Sequence, residues 1–304
     1  AGYFDSAGGK QANNIAQWNG SSWSPLGLGT DDAICSLCVY GGNLYAGGFF
    51  THAGGVPANN IAEWNGSSWT ALGSGVNGSV DALMIYNSNL IAGGKFNTAG
   101  GNPANYIATW NGSAWSALGT GINIGNNGGV FGFAIYNSIL YVGGAFNNAG
   151  GLPENNIAAW DGSKWYKIWG GIISGHPDTG GVLSLAVYNG ALYAGGQFDT
   201  AGGKPENNIA EYTGVAGIKE IADNSGISIY PNPCSDRLVV QNQGTGEIEM
   251  MSLYNTLGAL VWQSRSVVLQ STEIPVTGVA QGIYFLQFEL SDGSTLVKKV
   301  EVIK

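Results

Sequence analysis

Groups able to act as nucleophile, general base or metal ligand are few in this chain of 304 residues, which holds two histidines and three cysteines. His52 and His176 fall in loops of different sequence repeats, and neither has a serine or cysteine nucleophile in a recognisable local motif. Cys35 and Cys38 are three apart in a predicted strand, so period-two alternation points them to opposite faces and they cannot readily bridge. Cys38 aligns with Met84, Ala134 and Ala186, which predicts a buried apolar position and a packed free thiol. No second cysteine pair or histidine cluster completes a zinc site. Cys234 is the odd one out, in a Pro-Asn-Pro turn. Glu63, Asp81 and Glu211 occupy variable repeat positions, paired carboxylates for glycoside hydrolysis cannot be located, and no Asp-x-Asp-x-Asp-Gly calcium loop occurs. The expectation is a non-enzymatic chain without catalytic residue, metal or cofactor.

The elements that must carry these residues repeat. The phrase Ile61-Ala62-Glu63-Trp64-Asn65-Gly66-Ser67-Ser68-Trp69-Thr70-Ala71-Leu72-Gly73 recurs from Ile15, Ile107 and Ile157, and in decayed form from Ile209. Its first aromatics, Trp18, Trp64, Trp110, Trp160 and Tyr212, are spaced 46, 46, 50 and 52 residues apart. A period of that size marks units that bury their apolar faces against their neighbours. Within one unit the apolar spacing is two: Val80 to Tyr86, Leu90 to Phe96, Asn105 to Trp110 and Trp115 to Leu118 read as four strands, with 97–103 as a loop. Four short antiparallel strands per unit of about 40–50 residues is the arithmetic of a propeller blade. The glycine pair Gly93-Gly94 marks a close backbone approach or a bulge.

In Trp64-Asn65-Gly66-Ser67-Ser68-Trp69, Asn and Gly accept a tight reversal that sets the two tryptophans opposite each other. Their regular recurrence suits packing between blades; the alternative is a platform on which a carbohydrate stacks.

After about Gly214 the repeats stop. Residues 215–225 read as a linker, and strands follow at Ile227 to Tyr230, Arg237 to Gln241, Glu247 to Tyr254, Leu260 to Gln263, Gly282 to Leu290 and Thr295 to Ile303, enough for a small antiparallel β-sandwich over 226–304. The fold class is therefore all-β throughout.

Two resemblances join this reading. The pattern Gly-Gly-x-Phe, Ala-Gly-Gly, Asn-x-Ile-Ala-x-Trp-Asn-Gly and Trp-x-x-Leu-Gly over residues 1–214 resembles the glycine-rich propeller repeats of secreted bacterial proteins, broadly of kelch-like or galactose-oxidase-like kind. Ala1-Gly2-Tyr3-Phe4 aligns with Gly47-Gly48-Phe49-Phe50, which places the start within a blade and implies preceding sequence; three whole blades with a partial one at each end are expected. The second resemblance is more specific. Tyr230-Pro231-Asn232-Pro233, Asp236-Arg237-Leu238, Leu253 to Gly258, Gly282-Ile283-Tyr284-Phe285-Leu286 and Lys298-Lys299-Val300 look like the type A C-terminal sorting domain of the type IX secretion system, with an Ig-like sandwich. It implies a Bacteroidota protein taken across the outer membrane, whose partners are a shuttle protein, the translocon and a sortase. Residue by residue the sorting motifs also have plain readings: Pro231 and Pro233 as an edge-strand exit, Gly258 and Gly282 as turn formers, Lys298 and Lys299 as a solvated edge.

Asp5-Ser6-Ala7 and Asp199-Thr200-Ala201 resemble the O-glycosylation site of Bacteroidota exported proteins, with an Asx-type turn as the alternative. Thr98 follows Asn97 and serves as the unmatched copy. Charge is acidic, −9, with 5 basic against 11 acidic residues up to Gly217 and 6 against 9 beyond, which leaves no basic footprint for nucleic acid. No apolar run is long enough to span a bilayer as a helix. The functional expectation is a secreted or cell-surface binding and display protein whose propeller face meets a glycan or protein; the alternative is a secreted polysaccharide-acting enzyme with its site on the propeller face or in blades outside this sequence.

Overall fold

A computed structural model describes residues 1–124, 128–168, 171–174, 180–212, 226–243, 247–255, 259–265, 270–291 and 295–304. His176, Gly258 and the linker 215–225 lie outside them. All the described elements are strands, and they fall into two compact units, Ala1–Tyr212 and Thr213–Lys304.

The first unit is a series of separate small antiparallel sheets. An opening pair, Ala16–Trp18 and Trp23–Pro25, precedes three four-stranded sheets. Sheet I holds Ile34–Tyr40, Asn43–Gly48, Ile61–Trp64 and Trp69–Ala71; sheet II holds Val80–Tyr86, Asn89–Gly94, Ile107–Trp110 and Trp115–Ala117. Sheet III holds Gly129–Tyr136, Ile139–Ala145, Ile157–Trp160 and Trp165–Lys167, and sheet IV has three strands, Gly181–Tyr188, Ala191–Gln197 and Ile209–Tyr212. Strands are hydrogen-bonded in chain order in each sheet, as the repeat spacing predicts.

The glycine pair does both things expected of it. A Cβ on Gly47, Gly93 or Gly143 would stand 2.4, 2.4 or 2.5 Å from the Cγ1 of Val80, Val130 or Val182, so the first glycine is a socket for the valine of the next sheet. The second glycine faces a β-bulge: the first strands slip register at Ile34/Ser36, Val80/Ala82, Val130/Gly132 and Val182/Ser184, and a Cβ on Gly94 would lie 1.9 Å from the Ser79 carbonyl oxygen.

The segment expected as a plain loop over 97–103 instead holds a short hairpin, Thr98–Ala99 with Asn102–Pro103, and the same hairpin recurs in the other repeats. Sequence patterning misses it because two-residue strands are too short to show alternation. The Ala-Gly-Gly tip is explained by contact: Gly54 and Gly100 sit at φ +61°, and a Cβ on either would lie 3.0 Å from Trp69 or Trp115.

The second unit stacks a three-stranded sheet, Ile227–Tyr230, Arg237–Asn242 and Ser271–Pro275, on a four-stranded one, Ile248–Asn255, Leu260–Ser264, Gly282–Leu290 and Thr295–Val302. One core between them draws on both sheets, with Leu238, Val240 and Ile274 facing Leu253, Leu286, Phe288 and Val300. Ser271–Pro275 is a strand that the sequence reading does not contain. It buries only Ile274, too weak an apolar signal to declare itself.

Candidate functional site

The tryptophan pairs stand opposite each other with their rings tilted, Trp64 with Trp69 and Trp110 with Trp115 at 5.4 Å between ring centroids. Gly66 takes the positive φ of 96° at the tip, while Asn65 acts through its side chain, Oδ1 accepting the amides of Ser67 and Ser68. The second tryptophan of each pair is a tie between sheets: the Nε1 of Trp69, Trp115 and Trp165 donates to the carbonyls of Leu26, Leu72 and Leu118 in the preceding repeat. These three rings are buried, which leaves no open face for a sugar. Among the described tryptophans, the opening pair, Trp18 and Trp23, is the one exposed, at 50% and 40%.

The asparagine pair of each repeat is a second tie. Asn14 and Asn60 adopt φ of 63° and donate through Nδ2 to the carbonyls of Thr30 and Val76, each at 2.9 Å. Asn156 does the same toward Ile172 at 2.7 Å. Tyr106 occupies this place in the third copy at φ 62°, without a side-chain amide to donate.

A cleft of about 550 Å³ opens beside these ties, lined by Tyr3, Phe4, Asp5, Asn13, Asn14, Thr30 and Asp31. Tyr3 stands 83% exposed at its rim. The Asp31 carboxylate accepts from the amides of Thr51 and His52 at 2.8 Å and from Thr51 Oγ1 at 2.7 Å, and lies 3.0 Å from His52 Nδ1. Partial burial pushes its pKa up, but the amide of His52 and the other donors outweigh this and hold it at about 2. Asn77 makes the same clamp on the amides of Asn97 and Thr98, so the aspartate–histidine pair is a charged version of a repeated loop clamp. No group of three or more histidine, cysteine or acidic side chains is arranged to hold a metal ion among the described residues.

Other expected positions need adjustment. Cys38 is half-buried rather than buried, as its counterpart Met84 in sheet II is, and Cys35 is exposed. Ser6 and Thr200 lie in two-residue strands, not in loops; Ser6 is exposed, whereas Thr200 is half-buried and paired with Ile173 and Pro205. Glu63 bonds the amide of Asn43 and faces the Tyr45 phenol, whose pKa burial and this carboxylate push up to about 12.

In the second unit the sorting motifs converge on the last strand. Asn232 Nδ2 donates to the Lys299 carbonyl at 2.8 Å, and its Oδ1 accepts from the Glu301 amide at 2.8 Å. Cys234 continues the contact with its backbone, donating to the Glu301 carbonyl and accepting from the Ile303 amide, each at 2.8 Å. The peptide bonds before Pro231 and Pro233 are cis. Tyr284 is buried and donates its phenol to the Ala280 carbonyl at 2.8 Å. Gly282 opens a strand opposite Val302 rather than forming a turn, and Tyr230 is exposed. Lys298 is half-buried and Lys299 exposed, on a strand whose edge is covered by residues 232–234 and not solvated as expected.

Residues 228–304 match the family model described as "Secretion system C-terminal sorting domain". This part of the chain is a sorting domain. It marks a type IX cargo, exported to the cell surface or secreted, and implies contact with that secretion machinery. No curated protein matches the chain. Among solved structures it is similar to a B. thetaiotaomicron extracellular domain assigned to a one-component system, at 13% identity over 90% of this chain and 38% of that one, with a TM-score of 0.33. A second extracellular domain from that organism, assigned to a hybrid two-component system, gives 10%, 88%, 55% and 0.23 in the same order. Dimeric latent PorU from Porphyromonas gingivalis gives 12%, 90%, 29% and 0.22. The chain spans well under two thirds of these proteins. Among the described residues, no helix is long and apolar enough to cross a membrane.

Proposed function

We propose that this protein is a surface or secreted binding and display module: a segment of β-propeller that presents its loop face to a glycan or protein, delivered by the sorting domain through the type IX shuttle, translocon and sortase. The observation that carries the binding half is the cleft at Tyr3, where an exposed aromatic ring stands beside the exposed Asp5. An aromatic face stacks on the apolar side of a sugar ring, and carboxylates accept its hydroxyls; this combination is the general chemistry of a small polar-ligand site. The tryptophans support the reading by subtraction, since the second of each pair in sheets I to III is occupied as a tie. In this reading the protein is not an enzyme.

A glycan array probed with the chain, followed by calorimetry on the best ligand, tests the proposal. Binding without turnover, weakened at least tenfold by Tyr3→Ala, is the expected result. Product release from the bound polysaccharide, or binding that ignores Tyr3→Ala, defeats it.

The reading extends to glycan attachment at Ser6 and Thr200. Ser6 is accessible, and Thr200 requires the short strand at Ile173 to part. Peptide mass spectrometry of native protein should find hexose-bearing additions at Ser6, less at Thr200 and none at Thr98; equal modification at Thr98 removes the role assigned to the preceding aspartate.

A further inference from the structure

The contact between residues 232–234 and the last strand is built unlike the other strand pairings of the second unit. Thr295–Val302 is the outermost strand of its sheet, bonded on one side to Gly282–Leu290. A free edge exposes backbone donors and acceptors that either take water or pair with another chain. Here the Asn232 carboxamide stands in for a peptide group, giving one donor and one acceptor to Lys299 and Glu301. Two residues on, Cys234 pairs through its own backbone with Glu301 and Ile303, a parallel bridge opposite Val302. Its side chain is buried in the sandwich core, which anchors the segment from below. Pro231 and Pro233, on either side of Asn232, carry no N–H, so the segment that covers the edge offers fewer donors for a further strand to pair with.

We propose that Asn232 is a positioning residue, a clasp that fixes the C-terminal strand and holds the Lys298-Lys299 pair at a set place for the export machinery. The Tyr-Pro-Asn-Pro and Lys-Lys motifs, some 67 residues apart, are then two halves of one device. The function assigned to the clasp rests on the sorting-domain assignment; its mechanics do not.

Hydrogen exchange and export, measured on the full chain, test it together. Asn232→Ala removes both side-chain bonds, and the Glu301 amide should exchange at least tenfold faster while the core amide of Phe288 keeps its protection. Asn232→Asp retains the acceptor for the Glu301 amide and loses the donor to Lys299, so it should restore most of the protection at Glu301. A role in filling space alone predicts that Asn232→Leu, similar in shape but without hydrogen-bonding groups, protects the Glu301 amide as well as the parent does, and that result overturns the clasp. In the native host, Asn232→Ala cargo should accumulate in the periplasm and the aspartate variant should be exported at an intermediate level. Normal export of a variant whose Glu301 amide has opened overturns the positioning role while leaving the sorting assignment intact. Where Asn232→Ala fails to fold, the comparison of Asn232→Asp with the parent decides: Glu301 exchange raised as much as at Ile303 overturns the clasp, and selective protection at Glu301 supports it.

Discussion

Glu154 stands where Ala12, Ala58 and Ala104 stand in other repeats, and all four are buried. Burial pushes its carboxyl up to about 7; Lys167 and the amides of Asn155 and Ile168 pull the other way and offset only part. A carboxyl whose folded pKa lies above its unfolded value binds more protons when folded, so its penalty is absent below about 4.5 and grows as pH rises toward 7. Glu154→Ala should therefore match the parent near pH 4 and exceed it by about 2–3 kcal/mol near pH 8. Urea denaturation at the two pH values checks this, and parallel profiles would contradict it. Such substitutions are visible in the aligned repeats, but their cost is not, because it depends on what surrounds the position. The Asn232 clasp was hidden for a related reason: each half is local, and the partners are joined only by the fold.

At the scale of the element, repetition made the strands legible. One copy such as Val80–Tyr86 is a short apolar run, ambiguous alone, but four aligned copies fix its period and its turns. Ser271–Pro275 had no second copy to support it, and the two-residue hairpins had no period to show. The glycine sockets give a controlled test of how sheets join. Gly93→Ala drives a methyl group into Val130 between sheets II and III and should cost about 1–3 kcal/mol, the usual penalty of overpacking. Gly195→Ala makes the same change in sheet IV, where the nearest atom to the new carbon is 3.9 Å away, and should fall within about 0.5 kcal/mol of the parent. Thermal melts of the two variants should separate clearly; equal shifts would mean that the socket is not the joint.

At the scale of the molecule, each unit has a core of its own, the first distributed between successive sheets and the second between two stacked ones. Deleting residues 226–304 should leave 1–212 folded, with its strand signal and tryptophan fluorescence intact, and confine it to the periplasm of the native host. Surface delivery of that truncation, or its unfolding, would show that delivery and scaffold are not separable. The valine-in-glycine joint has a consequence for how such a protein changes over generations. Sheets I to III each carry a socket filled by a valine of the sheet that follows, so an in-frame recombination between two of these copies adds or removes a sheet together with its seam. The array can gain or lose a repeat without a new interior having to evolve, and the export tag rides along unchanged.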